Sequence, residues 1–293
     1  MHINNLHPFV QWAGGKGQLL SEIRQRLPKT IERYAEPFIG GGAVLFEVLK
    51  NYSPKAVFIS DANKELITAY RVVRDSVESL IQQLSKFQTE YIPMSHEDRK
   101  AYYLERRDDY NRIKVDHGLN DVECAALLLF LNKTCFNALY RVNKSGLFNV
   151  PHGSYRNPTI CDAENLRLAS ECLKHARIVH GNYTVSWPFV NRDTFVYMDP
   201  PYRPLKTGGF IAYTEYPFGD DEQNRLAEYA KYLSTIGAKV MLSNSDPKNT
   251  DPKDDFFEDL YPGFTIERVL ASRAINRDAK GRGKITELLI RNY

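Results

Sequence analysis

Short apolar runs alternate with longer amphipathic segments in the first quarter of the chain. In the longer segments hydrophobic residues recur at helical spacing, as Leu20, Ile23 and Leu27 do. The apolar runs are too short for helices and end in glycine or in an acidic residue, which is typical of buried strands. The predicted helices are 17–27, 43–50 and 63–75, and the predicted strands are 33–39 and 56–60.

The middle of the chain has a different pattern. Residues 76–135 are mostly helical by their spacing, and residues 136–159 are crowded with Asn, Gly, Pro and Ser, which favours loops and a hairpin. After this point the alternation of strands and helices resumes. The predicted strands are 176–182, 194–198 and 239–245, with a helix around 220–236 and an antiparallel pair formed by 264–272 and 284–293.

This order of elements predicts an α/β protein with a mixed, Rossmann-like sheet that has helices on both faces. We expect residues 1–75 and 160–293 to form the catalytic domain. Residues 76–159 are expected to be an insertion, mainly helical and ending in a hairpin.

The composition is that of a globular protein of 293 residues, with 43% hydrophobic and 26% charged residues. No apolar run approaches the roughly 18 residues that a membrane helix needs, and the N-terminus lacks the pattern of a signal peptide. The four cysteines form no CxxC pair and the histidines show no metal-binding spacing. These features predict a cytoplasmic protein with reduced thiols, no bound metal and no membrane association.

The net charge of +3 says little about partners, but its distribution says more. Four cations and no carboxylate lie between residues 133 and 156. A local excess of positive charge attracts a polyanion more effectively than a small total charge does. The segment is therefore a candidate nucleic-acid interface.

Glycines follow the first predicted strand in AEPFIGGGAVLFE (35–47), and Asp61 ends the next strand. Glycines between a strand and a helix let the backbone approach a ligand closely, and a carboxylate about 20 residues further on suits a ribose diol. A dinucleotide motif would need glycine at Leu45, and WAGGKG (12–17) lacks the Ser or Thr of a P-loop. A nucleoside without a pyrophosphate fits better, and S-adenosylmethionine (SAM) is the expected cofactor.

The strand FVYM (195–198) ends in the motif Asp199-Pro200-Pro201-Tyr202. An amino group on an aromatic ring is a poor nucleophile because its lone pair is delocalised. Two acceptors, the Asp199 carboxylate and the Pro200 carbonyl, would localise that lone pair by accepting its N–H hydrogens. Tyr202 offers a flat face on which an extruded base would stack.

With these motifs the chain resembles the Dam-type, α-class DNA adenine-N6 methyltransferases over nearly its whole length. The α class is typified by this order, in which the glycine motif comes first, then the insertion, then DPPY. The resembling segments are 9–20, 36–47, 60–70, 136–158, 196–205, 210–218 and 240–246.

The resemblance implies two sets of residues for the cofactor and the chemistry. Direct transfer of a methyl group from SAM to adenine N6 would need no covalent enzyme intermediate. The catalytic residues would be Asp199, Pro200, Pro201 and Tyr202. The cofactor-binding residues would be Trp12, Lys16, Phe38, Gly40, Gly42, Asp61, Asn182 and Asp199.

The resemblance also implies binding to double-stranded DNA by residues 136–156, with the target base flipped out, usually in GATC. Arg141 would contact a guanine, Leu139 and Pro151 a thymine methyl group, and Phe136 and Asn137 the space beside the flipped adenine. Contacts to phosphates or flanking bases would come from Asn143, Lys144, Asn149, Tyr155 and Arg156. We expect a monomer, and a cognate restriction endonuclease if the enzyme belongs to a restriction–modification pair.

Two positions depart from the usual pattern of the family. Gln11 replaces a lysine that helps to recognise the first base, and this predicts relaxed discrimination there, because glutamine lacks the lysine's charge. Asn182 replaces an aspartate, although its amide oxygen can still accept a hydrogen bond from the cofactor's adenine.

Other activities remain as alternatives. Cytosine-N4 methylation uses related chemistry, but a serine at position 199 would have favoured it. Methylation of RNA or of a protein amide, and a non-catalytic DNA-binding module, also remain open. Cytosine-C5 methylation is disfavoured because the chain has no Pro-Cys pair to supply the thiolate nucleophile.

Overall fold

The structure is a computed structural model that describes residues 5–12, 14–116, 121–205, 218–272 and 284–293. The resembling segment 210–218 therefore lies outside the described residues except for its last position. The strands are β1 (Arg33–Glu36), β2 (Ala56–Asp61), β3 (Arg177–His180), β4 (Thr194–Met198), β5 (Lys239–Ser245), β6 (Thr265–Ser272) and β7 (Lys284–Arg291). The α-helices are α1 (Leu20–Arg26), α2 (Ala43–Asn51), α3 (Lys64–Asp75), α4 (Val77–Tyr91), α5 (His96–Asp116), α6 (Asp121–Thr134), α7 (Ala163–Leu173), α8 (Asp220–Thr235) and α9 (Phe256–Leu260).

The strands form a seven-stranded mixed sheet in the order β3-β2-β1-β4-β5-β7-β6. Strand β1 pairs in parallel with β2 and β4, and β4 pairs in parallel with β5. Strand β7 pairs antiparallel with both β5 and β6. The mixed α/β fold predicted from the sequence is therefore confirmed, including the antiparallel pair at the end of the chain.

Strand β4 has all five residues buried. A continuous apolar run is what a central parallel strand requires, because both faces of the sheet are covered. Phe195 packs its ring 5.8 Å from that of Tyr34 and 6.1 Å from that of Tyr293. This packing fixes the strand whose carboxyl end carries Asp199.

Most predicted elements are present with shifted ends. The predicted helix 17–27 is a 3₁₀ turn at Lys16–Gln18 followed by α1. The predicted strand 33–39 ends at Glu36, because Pro37 has no N–H to donate to a neighbouring strand. Helices α7 and α9 were not predicted from the sequence.

The chain divides into two compact units. What we call the helical unit comprises Met1–Gly15, Gly40–Gly42 and Asp61–Gly181. What we call the sheet unit comprises Lys16–Ile39, Ala43–Ser60 and Asn182–Tyr293. The segment 76–159 lies within the helical unit, and its role as a target-recognition insertion remains a prediction.

Helix α6 lies in the interior of the helical unit. Ten of its residues are buried, which agrees with a sequence that is hydrophobic around its whole circumference. Asn63 caps the N-terminus of helix α3, and its side chain accepts a hydrogen bond from the backbone N–H of Leu66 at 2.8 Å. Within the described ranges, no helix is long and apolar enough to cross a membrane.

Candidate active site and nucleic-acid interface

The sheet unit holds Asp199 directly after the buried strand β4. Its Oδ1 lies 2.8 Å from the Lys16 ammonium and accepts a hydrogen bond of 2.8 Å from the Ser243 hydroxyl. Lys16 is buried, so its charge is neutralised by the carboxylate rather than by water. Burial raises the pKa of Asp199, although the Lys16 charge and these hydrogen bonds partly oppose the shift. Asp199 is therefore a more basic carboxylate than an exposed one.

A second buried acid lies close to this pair. Glu36, at the end of β1, accepts a hydrogen bond of 2.7 Å from the Tyr34 hydroxyl. Burial raises the pKa of Glu36 well above its usual range, and the negative charge of Asp199 adds to the shift. Glu36 was not predicted as a site residue, although it lies inside the glycine motif.

Neighbouring side chains contact Pro201 and Tyr202, two of the three residues that follow Asp199. The Tyr202 hydroxyl donates to Glu287 Oε2 at 2.8 Å, and the Lys16 ammonium lies 4.5 Å from the centre of its ring. The carbonyl of Pro201 accepts from the Gln223 amide at 3.0 Å, while Pro200 is buried. The structure thus brings together Lys16 and the four predicted catalytic residues. Gln223 and Glu287 lie outside the motifs identified in the sequence, and Ser243 lies in the resembling segment 240–246 but was not predicted as a site residue.

The glycine loop lies in the helical unit. Gly40 and Gly42 have φ of 46° and 73°, a left-handed conformation that favours glycine. A Cβ on Gly40 would lie 3.2 Å from the ring of Trp12. The predicted residues Trp12 and Gly40 are therefore in close contact.

Asp61 organises this loop. Its carboxylate accepts hydrogen bonds from the backbone N–H groups of Gly40 at 3.1 Å and Asn63 at 2.9 Å. The Tyr70 hydroxyl donates to the carbonyl of Gly40 at 3.1 Å. Burial raises the pKa of Asp61, and the two N–H groups partly oppose the shift. A carboxylate offers about four lone-pair sites, so it can accept hydroxyl groups in addition to these two donors.

Two further predicted cofactor residues lie in the sheet unit. The Phe38 ring stacks on Tyr183, with ring centres 5.6 Å apart and planes inclined by 27°. The exposed Asn182 caps the N-terminus of the 3₁₀ helix Tyr183–Phe189, and its side-chain oxygen accepts from the backbone N–H of Thr184 at 3.0 Å. This capping role is a structural function that the sequence prediction did not include.

The predicted recognition segment 136–156 forms a loop stabilised by backbone bonds. Isolated bridges pair Cys135 with His152 and Val142 with Phe148. Most of the predicted DNA-contacting side chains are exposed, and the remaining two, Leu139 and Asn149, are half-buried. The exposed ones are Gln11, Phe136, Asn137, Arg141, Asn143, Lys144, Pro151, Tyr155 and Arg156.

Two asparagines of this segment make internal bonds. The Asn143 side chain accepts from the backbone N–H groups of Ser145 at 2.9 Å and Leu147 at 3.0 Å, which closes the tip of this loop. Asn149 accepts from the Arg141 guanidinium through its side chain at 2.8 Å and its backbone carbonyl at 3.2 Å. These bonds use two of the five guanidinium N–H donors. Asn149 therefore orients Arg141, and three donors remain.

Among the described residues, no group of three or more His, Cys, Asp or Glu side chains is placed to hold a metal ion.

A family model described as D12 class N6 adenine-specific DNA methyltransferase matches residues 12–275. Type II methyltransferase M.MjaIII of Methanocaldococcus jannaschii is 48% identical to this chain over 293 residues, covering 98% of this chain and 99% of that protein. Type II methyltransferase M1.LlaDCHI of Lactococcus lactis subsp. cremoris is 39% identical, covering 99% of this chain and 96% of that protein. A DNA adenine methylase of Vibrio cholerae is 33% identical, covering 96% of this chain and 94% of that protein. The chain belongs to the D12 class of N6 adenine-specific DNA methyltransferases.

Proposed function

We propose that this enzyme transfers the methyl group of SAM to adenine N6 in duplex DNA, with GATC as its preferred site. The observation that carries the proposal is the arrangement around Asp199, in which both Lys16 and Ser243 contact the same oxygen, Oδ1. A carboxylate fixed in this way presents Oδ2 in one orientation. We assign Oδ2 as the acceptor of an N–H hydrogen from the target adenine.

The residues proposed to hold SAM supply donors, acceptors and an aromatic surface of the right kinds. In the helical unit these are Trp12, the glycine-loop residues Gly40 and Gly42, and the Asp61 carboxylate for the ribose hydroxyls. In the sheet unit they are Lys16, Phe38, Asn182 and Asp199, with the Phe38 ring suited to the adenine of the cofactor. When bound, SAM supplies an electrophilic methyl group on a sulfonium sulfur.

The protein's part in the reaction is to position and polarise the adenine amine. Asp199 and the carbonyl of Pro200 accept its two hydrogens, which returns the lone pair to the nitrogen for attack. The raised pKa of Asp199 suits it to receive the proton that nitrogen sheds after methylation. The ring of Tyr202, anchored through its hydroxyl to Glu287, forms the surface on which the flipped base stacks.

The exposed segment 136–156 is proposed to bind DNA. Its excess of cations supports attraction to phosphates, and Arg141 has donors left to bond the two major-groove acceptors of a guanine. Asn149 is proposed to orient Arg141. Asn143 is proposed to shape the tip of the segment. Either residue can contact DNA in addition.

We also propose that the enzyme protects the sites cut by a cognate restriction endonuclease. Support comes from the relatives, since the two named type II methyltransferases are 48% and 39% identical to this chain, and the named DNA adenine methylase is 33% identical.

Replacing the catalytic carboxylate tests the mechanism. Asp199→Asn should lower the single-turnover rate of methyl transfer by about 10²–10³-fold or more, because a preorganised charged acceptor is lost. The wild-type rate should fall as the pH is lowered through the raised pKa of Asp199, since only the carboxylate accepts. Duplex binding, measured by fluorescence anisotropy, should change little.

The matched control for Asp199 is Asp193→Asn, which alters an exposed aspartate just before the same strand. A wild-type rate in Asp199→Asn, or an equal loss in both variants, would contradict the assignment.

Asp61 is tested through the cofactor alone. Asp61→Ala should weaken SAM binding by about 1.5–3 kcal/mol, the range for hydrogen bonds to a charged group. Calorimetry with SAM and no DNA measures this, with Asp75→Ala on the exposed end of α3 as the control. An unchanged Kd, with only a loss of thermal stability, would restrict Asp61 to supporting the glycine loop.

Arg141 and Lys144 separate base recognition from phosphate binding. On GATC and its single-base variants, Arg141→Ala should lose about 1–3 kcal/mol of discrimination at one guanine. Lys144→Ala should weaken binding to all duplexes alike and lower the salt slope by about one unit. A uniform loss across the panel for Arg141→Ala would make it a phosphate contact.

A further inference from the structure

A buried asparagine on α6 connects two separate stretches of the helical unit. Asn132 is 2% exposed, and its side-chain oxygen accepts from the backbone N–H of Gln11 at 2.9 Å. Its amide nitrogen donates to the carbonyl of Gln11 at 2.7 Å and to the carbonyl of Ala138 at 3.1 Å. One side chain therefore bonds both the N–H and the carbonyl of Gln11, and it also bonds the turn at Phe136–Ala138.

The chemistry of these three bonds requires a carboxamide. Both amide hydrogens are donated and the oxygen accepts, which uses the donor capacity of asparagine in full. Aspartate has the same shape but has no hydrogens for the two carbonyls. A buried apolar side chain at this position would leave three backbone groups without these partners.

The turn that Asn132 holds has an unfavourable backbone conformation. Asn137 and Ala138 have φ of 55° and 50°, in the left-handed region that residues other than glycine rarely occupy. Such conformations persist only where surrounding contacts determine them. Here the contacts include the Asn132 bond to Ala138 and a bond of 2.9 Å from the Phe136 N–H to the carbonyl of Pro151. These bonds hold the turn in a conformation in which 51% of the Phe136 surface is exposed.

The same unit contains a second buried asparagine that bonds the N–H and carbonyl of one residue but makes no bond equivalent to the one between Asn132 and Ala138. Asn165, 3% exposed on α7, accepts from the backbone N–H of His7 and donates to its carbonyl, both at 3.0 Å. Among the described residues, the Asn165 side chain forms hydrogen bonds only with His7. Asn165 therefore matches Asn132 in residue type, burial and two-bond geometry, but its side chain makes no hydrogen bond to the Phe136–Ala138 turn.

We propose that Asn132 is a positioning residue that couples recognition of the outer base pair to the placement of the flipped adenine. Through Asn132 the backbone of Gln11 and the Phe136–Ala138 turn share one anchor, so neither moves independently of the other. This inference rests on the proposed DNA contacts of Gln11, Phe136 and Asn137. It adds a coupling between them that those contacts alone do not require.

The test compares Asn132→Ala with Asn165→Ala on GATC, AATC, CATC and TATC duplexes. Asn132→Ala should reduce the ratio of kcat/KM between GATC and the other three by about tenfold, or to unity where the wild-type ratio is smaller. It should also alter the fluorescence of 2-aminopurine placed at the target adenine, while the Kd for SAM stays within twofold. Asn165→Ala should leave the ratio and the fluorescence unchanged, even if it lowers the melting temperature as much.

A double-mutant cycle measures the coupling itself. Gln11→Ala and Phe136→Ala should be non-additive in kcat/KM in the wild-type background and additive in the Asn132→Ala background. If Asn132→Ala does not fold, Asn132→Ser serves in its place, because the smaller polar group leaves space for a bridging water.

Two results would overturn the proposal. One is an unchanged base ratio and unchanged fluorescence in the Asn132 variant, and the other is an equal change in the Asn165 variant. A wild-type enzyme that methylates none of the duplexes would instead overturn the proposed function. The two failures are therefore distinguishable.

Discussion

The ion pair between Lys16 and Asp199 is the interaction on which the proposed chemistry depends. A buried ammonium is strongly destabilising without a charged partner, and a carboxylate with one oxygen occupied by two donors has little freedom to rotate. Parallel strands bring their carboxyl ends to one edge of a sheet. Asp199 follows β4 there, and Ser243 lies near the end of the neighbouring β5. The sheet thus supplies two members of the cluster and the turn before α1 supplies Lys16.

The helical unit uses a different device, in which polar side chains hold irregular backbone in place. Asp61 bonds two backbone N–H groups at the glycine loop, and Asn132 bonds three backbone groups at Gln11 and Ala138. These segments lie outside the β-strands and α-helices, so side-chain bonds help to determine their conformation. The Asp61 bonds hold the glycine loop beside Trp12, and the Asn132 bonds hold the Phe136–Ala138 turn, on which Phe136 is exposed.

The sequence predicted those features that depend on local pattern. Periodicity identified the sheet strands and most helices, and the motif around Asp199 was evident because an apolar strand ends in an acid and two prolines. The partners of these residues were not predictable. Ser243 lies 44 positions from Asp199, and Glu287 lies 85 positions from Tyr202. Only the three-dimensional pairing of β4 and β7 with β5 brings such groups together.

The asparagines show the same limit in a different way. Asn143 and Asn149 were predicted to contact DNA from the resemblance to the Dam-type family, and in the structure they also make internal bonds. Asn132 was not predicted as a site residue, because it lies in an apolar helix, 121 positions from Gln11. A buried polar residue becomes informative only once its partners are known.

Methyl transfer to adenine N6, the reaction that the Asp199 cluster is proposed to serve, is tested by the chemical identity of the product. The wild-type enzyme would be incubated with SAM carrying a deuterated methyl group and a GATC duplex, and the DNA would be digested to nucleosides for mass spectrometry. Deuterated N6-methyladenine is the expected product. Deuterated N4-methylcytosine, or a label found in neither base, would contradict it.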